Sequence, residues 1–241
     1  DYDDPFTGLS GQTFLEMSYY GNNYGGGFGG FISSLPPVTK NIVAINVLVF
    51  IATLVNQQFM VANFAMFYPT SPFFRPWQII THMFMHGGFW HIFFNMYSLL
   101  MFGTVLERSI GSKKFLIFYF VTGLGAVALH TGVEWIEAQI FMANEQVTAY
   151  HNLLMTPTLG ASGAIYGVLI GYAMVYPQSR LTLLFPPVTL TAKWMVIIFA
   201  AIELFTGITG TADGVAHFAH LGGMLFGWLL IRMWRRQGKL Y

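Results

Sequence analysis

The sequence predicts an all-α membrane protein built as a bundle of six transmembrane helices. Three observations carry this expectation. Only 9% of the 241 residues are charged and 55% are hydrophobic, against about 25% charged in an ordinary soluble domain. Apolar stretches recur six times, near 42–62, 87–106, 115–133, 161–177, 194–208 and 215–231, and a bilayer span takes about 20 apolar residues. Six spans also sort the basic residues: Lys40, Arg108, Lys113, Lys114, Arg180, Lys193, Arg232, Arg235, Arg236 and Lys239 fall on one side and Arg75 alone on the other. Lys and Arg are retained on the cytoplasmic side, so both termini are expected there, and an odd number of spans would spoil the separation.

The elements follow in order. Residues 1–40 are expected to form a cytoplasmic Gly/aromatic-rich tail, with a lipid-surface anchor on Phe28 and Phe31 as the alternative. No secretory signal precedes the first apolar run, and the chain opens on Asp1, so its natural start is expected to have been trimmed. Residues 41–235 form the six-helix domain and 236–241 a short cytoplasmic tail. Asn46 and Asn56-Gln57-Gln58 interrupt the first span, while the fourth and fifth are short, which calls for a thinned bilayer or a polar interior. The connections 63–86 and 134–160 are long, the second carrying Glu134, Glu137 and Glu145. Both are expected on the outer side, holding short interfacial helices.

Polar groups inside spans are costly and mark function. His91 and Asn95 share one face of the second span by i, i+4 spacing. Gly160-Ala161-Ser162-Gly163 opens the fourth, and the sixth follows Asp213-Gly214 with His217 and His220. At 1.5 Å per residue, His220 lies roughly 8 Å below a span start at Val215, and His91 to Asn95 covers roughly 6–12 Å below Gly87. The three groups can therefore converge on one site sunk from the outer face. Gly163, Gly167 and Gly171 on the fourth span, with Gly223 and Gly227 on the sixth, form small-residue rows that let helices approach closely. A hydrogen bond from Ser162 to a histidine of the sixth span needs that approach.

A serine hydroxyl becomes a nucleophile when a base takes its proton. His220 is the candidate base, and His217, three residues away on the same face, is the alternative. Neither the fourth nor the sixth span carries an acid to orient the histidine, so the expected arrangement is a dyad. Tyr166, one turn after Ser162, is placed to hold the imidazole. Asn95, His91 and the backbone N–H of Ser162 are candidate oxyanion donors. Glu203, within the fifth span, is read as making a structural hydrogen bond, with pairing to another span or a proton path as the alternatives. Other chemistries fit less well. The His82 and His86 pair lacks the glutamate of H-E-x-x-H, and a site on His82, His86 and His91 is a weak metal candidate. No Asp falls within a span, against an aspartyl protease. No phosphate loop or dinucleotide fingerprint is present, so no cofactor and no metal are expected. Zero cysteines exclude thiolate sites and disulfides, and a net charge of +1 offers no surface for nucleic acid.

Four ordered motifs resemble those of the rhomboid family, over about residues 40–235. They are His86-Gly87-Gly88-Phe89-Trp90-His91-Ile92-Phe93-Phe94-Asn95, Gly103 to Gly111 around Glu107-Arg108, Gly160-Ala161-Ser162-Gly163-Ala164-Ile165-Tyr166-Gly167, and Ala219-His220-Leu221-Gly222-Gly223 with Gly227. The resemblance implies an intramembrane serine endopeptidase with a water-filled cavity open to the outer side. It implies Ser162 as nucleophile, His220 rather than His217 as base, His91 and Asn95 at the oxyanion, and Tyr166 and Gly160 in support. It further implies single-span membrane proteins as substrates, gating by the fifth helix and the loop before His217, and residence in a prokaryotic plasma membrane. Trp77-Gln78 stands where many relatives carry Trp-Arg. A non-catalytic binder of unstable helices and a solute channel are the competing readings. The complete Ser–His–Asn set argues against the first. The apolar inner halves of the second, fourth and sixth spans argue against the second.

Overall fold

A computed structural model of the chain describes residues 28–182, 187–210 and 216–240. The expectations for residues 1–27, Asp213-Gly214 and the loop before His217 lie outside these.

Helix α1 (Phe28–Ser34) leaves Phe31 and Ile32 exposed. Helix α2 (Pro37–Val55) starts on a proline, whose missing N–H costs nothing in a first turn. Its other early N–H groups find Glu107, which accepts from Val38 N (3.0 Å), Thr39 N (2.7 Å) and Thr39 Oγ1 (2.8 Å). A carboxylate there also complements the positive end of the helix dipole. The boundary expected at residue 41 thus falls inside a helix. The first apolar run is broken at Asn56, whose side chain accepts from Phe59 N (3.0 Å) and caps α3 (Gln57–Phe64).

The loop after α3 holds α4 (Gln78–Thr81) and a 3-10 turn, His82–Phe84. Gln78 is fully buried and ties this loop together. Its Oε1 accepts from Arg75 N (3.0 Å), and its Nε2 donates to the carbonyls of Phe73 (3.0 Å) and Ala62 (3.3 Å). Trp77 Nε1 donates to Asn63 O (2.8 Å). The Trp-Gln pair therefore anchors the loop.

Helix α5 (Phe89–Ile110) contains one wide turn at Leu99–Gly103. Helix α6 (Ser112–Ala143) has 32 residues, about 48 Å at 1.5 Å each. It outruns a hydrocarbon core of about 30 Å. Glu134 and Glu137 accordingly lie on a helix and not in the expected connection, which shrinks to α7 (Val147–Met155) and its flanks. Thr158 pairs with Met66 through two backbone hydrogen bonds (2.9 and 2.8 Å), joining the two long connections. Then come α8 (Ser162–Val175), an antiparallel hairpin of β1 (Arg180–Thr182) and β2 (Thr189–Thr191), α9 (Ala192–Thr209) and α10 (His217–Arg236).

Four of these helices, α2, α5, α6 and α9, are long and apolar enough to cross a membrane. Helix α8 is short at 14 residues, and α10 ends in Arg232, Arg235 and Arg236. The polarity is inverted relative to a soluble protein. Leu48, Ile51 and Leu54 on α2 and Ile202, Phe205 and Ile208 on α9 face outward, while Asn46, Glu107, Thr122 and Glu203 are buried. The chain is an all-α membrane bundle.

Its centre is α6, α8 and α10, packed nearly backbone to backbone. A Cβ on Gly223 would lie 1.8 Å from the carbonyl oxygen of Gly163, and one on Gly167 would lie 2.4 Å from Thr122 Cβ. Phe115, Phe118, Leu106, Val168 and Ile231 are buried in the core that these helices share.

Candidate functional site

Ser162 is the first residue of α8, and His220 lies in the first turn of α10. The Gly163–Gly223 approach brings the two helix starts together, and Ser162 Oγ lies 2.8 Å from His220 Nε2. Tyr166, one turn along α8, stacks face to face on the His220 ring, with centroids 4.2 Å apart and planes 9° apart. His217 does not reach the serine. Its Nδ1 contacts Glu203 Oε2 and lies 3.1 Å from Thr206 Oγ1, which separates the two candidate bases.

Ser162 and His220 border a cavity of about 920 Å³. Its lining includes His91 and Asn95 of α5 and His130, Glu134 and Glu137 of α6. Asn95 Nδ2 donates to His91 O (2.8 Å), and an amide NH₂ has two donors, so one is left for a ligand. His91 is held from below by His86, with ring centroids 4.9 Å apart. The loop before Ser162 is pinned by Gly160 N to His82 O (3.0 Å), and His82 Nδ1 meets Gln78 O (2.9 Å). Burial pushes the pKa of His82 down, and burial together with neighbouring His91 pushes that of His86 down to about 3. Both imidazoles are therefore neutral at physiological pH.

The network continues to a residue assigned only a structural hydrogen bond in the sequence. Glu203 is buried on α9. It accepts the Tyr166 hydroxyl on Oε1 and meets His217 on Oε2. Its Oε1 also lies 3.0 Å from His220 Nδ1, close enough to pair electrostatically though not aligned as a full hydrogen bond. A carboxylate therefore lies beside the histidine, brought by a third helix and not by the fourth or sixth span. The available signal was a glutamate placed in an apolar helix. The weak metal candidate on His82, His86 and His91 does not assemble. Among the described residues, the one cluster with metal-ligand spacing is Glu203, His217 and His220, with ligand atoms within 4.8 Å of one another.

Residues 73–237 match the rhomboid domain, more than half of the chain. The chain belongs to the rhomboid family. Relatives include Rhomboid protein 1, mitochondrial, of Saccharomyces cerevisiae, 27% identical over 66% of this chain and 43% of that protein. Rhomboid protease AarA of Providencia stuartii is 27% identical over 64% of this chain and 54% of its own. The putative rhomboid protease YdcA of Bacillus subtilis is 28% identical over 67% and 70%. The chain spans about half the length of the first two of these curated relatives.

Proposed function

We propose that this rhomboid is an intramembrane serine endopeptidase that hydrolyses peptide bonds in or near the transmembrane segment of single-span membrane proteins. The observation that carries the reading is the 2.8 Å contact between Ser162 Oγ and His220 Nε2 at the wall of a cavity. Ser162 Oγ attacks the scissile carbonyl carbon as His220 Nε2 takes its proton. The oxyanion that forms is met by the backbone N–H of Ser162, unsatisfied at a helix start, and by His91 and Asn95. The C–N bond then breaks, His220 returns its proton to the leaving amine, and an acyl-Ser162 ester remains. Water attacks the ester with His220 again as base, releasing the acid and restoring the serine. No cofactor enters this sequence. Tyr166 holds the imidazole plane, and Gly160 shapes the loop that presents Ser162.

The same reading keeps residues 41–235 as the catalytic unit, extended back to the start of α2 at Pro37, with a tail on either side. It places the chain in a prokaryotic plasma (inner) membrane with both termini cytoplasmic. Its partners are the bilayer and its substrates, with no nucleic acid. The test is cleavage of a generic single-span substrate by purified protein in detergent, wild type beside Ser162→Ala. Product from wild type alone supports the reading. Equal product from both removes Ser162 as nucleophile. A folded wild type that neither cleaves nor labels with a fluorophosphonate points to a binding protein instead.

A further inference from the structure

The serine–histidine reaction leaves Glu203 without a task, although a buried carboxylate is costly unless it is paired and hydrogen-bonded. It lies on α9, 6% exposed. An ionised carboxylate only accepts hydrogen bonds, so the groups around it must present hydrogens. Tyr166 donates its hydroxyl to Oε1. His217 faces Oε2 with Nδ1. His220 faces Oε1 with Nδ1 at 3.0 Å. A neutral imidazole has one N–H and one lone pair. With the hydrogen on Nδ1, the nitrogen 3.0 Å from Glu203 Oε1 and paired with it by charge, the lone pair of His220 sits on Nε2, the nitrogen 2.8 Å from Ser162 Oγ. The opposite tautomer would point an N–H at the serine and could not accept its proton.

We propose that Glu203 is a positioning residue that completes a Ser162–His220–Glu203 relay. It selects the Nδ1–H tautomer of His220, and it stabilises the imidazolium formed when Ser162 gives up its proton. It stays ionised throughout: the proton passes from Ser162 Oγ to His220 Nε2 and on to the leaving amine. Tyr166 joins the two functions, because its ring stacks on His220 while its hydroxyl holds the carboxylate. His217 and Thr206 fix the other side, with Thr206 Oγ1 3.1 Å from His217 Nδ1. The relay rests on the serine–histidine reading, and its test separates the two.

The experiment compares kcat and KM of the full chain with those of Glu203→Gln and Glu203→Asp, with Ser162→Ala as the blank. Glutamine keeps the shape and loses the charge, whereas aspartate keeps the charge and shortens the reach. The relay gives Glu203→Gln a kcat lowered by at least about tenfold with KM within about twofold, and Glu203→Asp a kcat above that of Glu203→Gln. A Glu203→Gln kcat within about twofold of wild type overturns the relay, as does Glu203→Asp falling below Glu203→Gln, which would mark a packing role. Activity abolished by a chelator and restored by zinc also overturns it, since the cluster would then be a metal site. Should the variants not fold, the wild type labelled with ¹⁵N-histidine gives the tautomer of His220 directly. The Nδ1–H form supports the relay and the Nε2–H form overturns it. A wild type that cleaves beside an equally active Glu203→Gln sinks only this inference. A wild type with no Ser162-dependent cleavage sinks the protease reading.

Discussion

Gly160 sets where the ring of His91 can lie. Its φ of +134° is in the region that disfavours a side chain, and a Cβ there would come 2.9 Å from both Cε1 and Nε2 of His91. It would also sit 3.5 Å from Ser162 Oγ. Gly160→Ala therefore combines backbone strain of about 1–3 kcal/mol with displacement of a candidate oxyanion donor, whose loss costs about 10²–10³ in kcat. The expected outcome is a kcat lowered by about 10²-fold and a melting temperature lowered by several degrees, checked by cleavage and thermal unfolding of the same preparation. A kcat equal to wild type would remove His91 from the oxyanion. At this scale Ser162, His220, His91, Asn95 and Tyr166 were legible as candidates because each sits in a short motif, while helical spacing alone left His217 open beside His220. The contacts of Glu203 with Tyr166, His217 and His220 were not legible. Its partners lie 37 and 14 positions away on other helices, and no local period joins them.

The crossing of α8 and α10 decides whether these residues meet. A Cβ on Gly223 would lie 1.8 Å from a backbone oxygen, Gly163 O, and one on Gly227 would lie 3.0 Å from Gly167 O. Backbone cannot rotate aside as a side chain does, so Gly223→Ala must push the helices apart and lengthen the 2.8 Å serine–histidine contact. Activity should fall by at least about 10²-fold, and stability should fall by more than the 1–3 kcal/mol usual for overpacking. Gly132→Ala on α6 is the control. Nothing lies within 4 Å of its Cβ position, so it should be neutral or add up to about 1 kcal/mol from helix propensity. Parallel melts and cleavage rates check both, and a Gly223→Ala protein as active as wild type would show that the contact tolerates separation. The glycine rows were readable as close packing from their spacing of four. Element ends were less readable. Asn56 breaks the first apolar run because its side chain caps the next helix. Helix α6 carries Glu134 and Glu137 because it continues past the hydrocarbon, where acids no longer end a span. The β1–β2 hairpin left no mark in a reading tuned to apolar runs.

The whole molecule has two unlike ends. At one, Arg108 donates to Ser34 O (2.9 Å), Lys114 to Lys239 O (2.6 Å) and Arg235 to Met174 O (2.7 Å). Those contacts gather the end of α1, the α5–α6 turn, the end of α8 and the residues just beyond α10 among most of the basic residues. The other end holds the Met66–Thr158 bridge and the acidic wall of the cavity. On the proposed orientation, with Lys and Arg retained on the cytoplasmic side, the first end is expected inside and the cavity open outward, which predicts cleavage near the outer face. The absence of cysteine from the sequence makes this directly testable. Gln146→Cys lies in the exposed turn between α6 and α7, and Gln237→Cys just beyond α10, and neither substitution alters the charge balance. In intact cells a membrane-impermeant maleimide should label the protein carrying Gln146→Cys. It should spare the one carrying Gln237→Cys until the membrane is permeabilised. The reverse pattern would place the serine on the cytoplasmic face. Labelling of both in sealed cells would put the two ends on one side, which the opposed ends of the bundle do not allow.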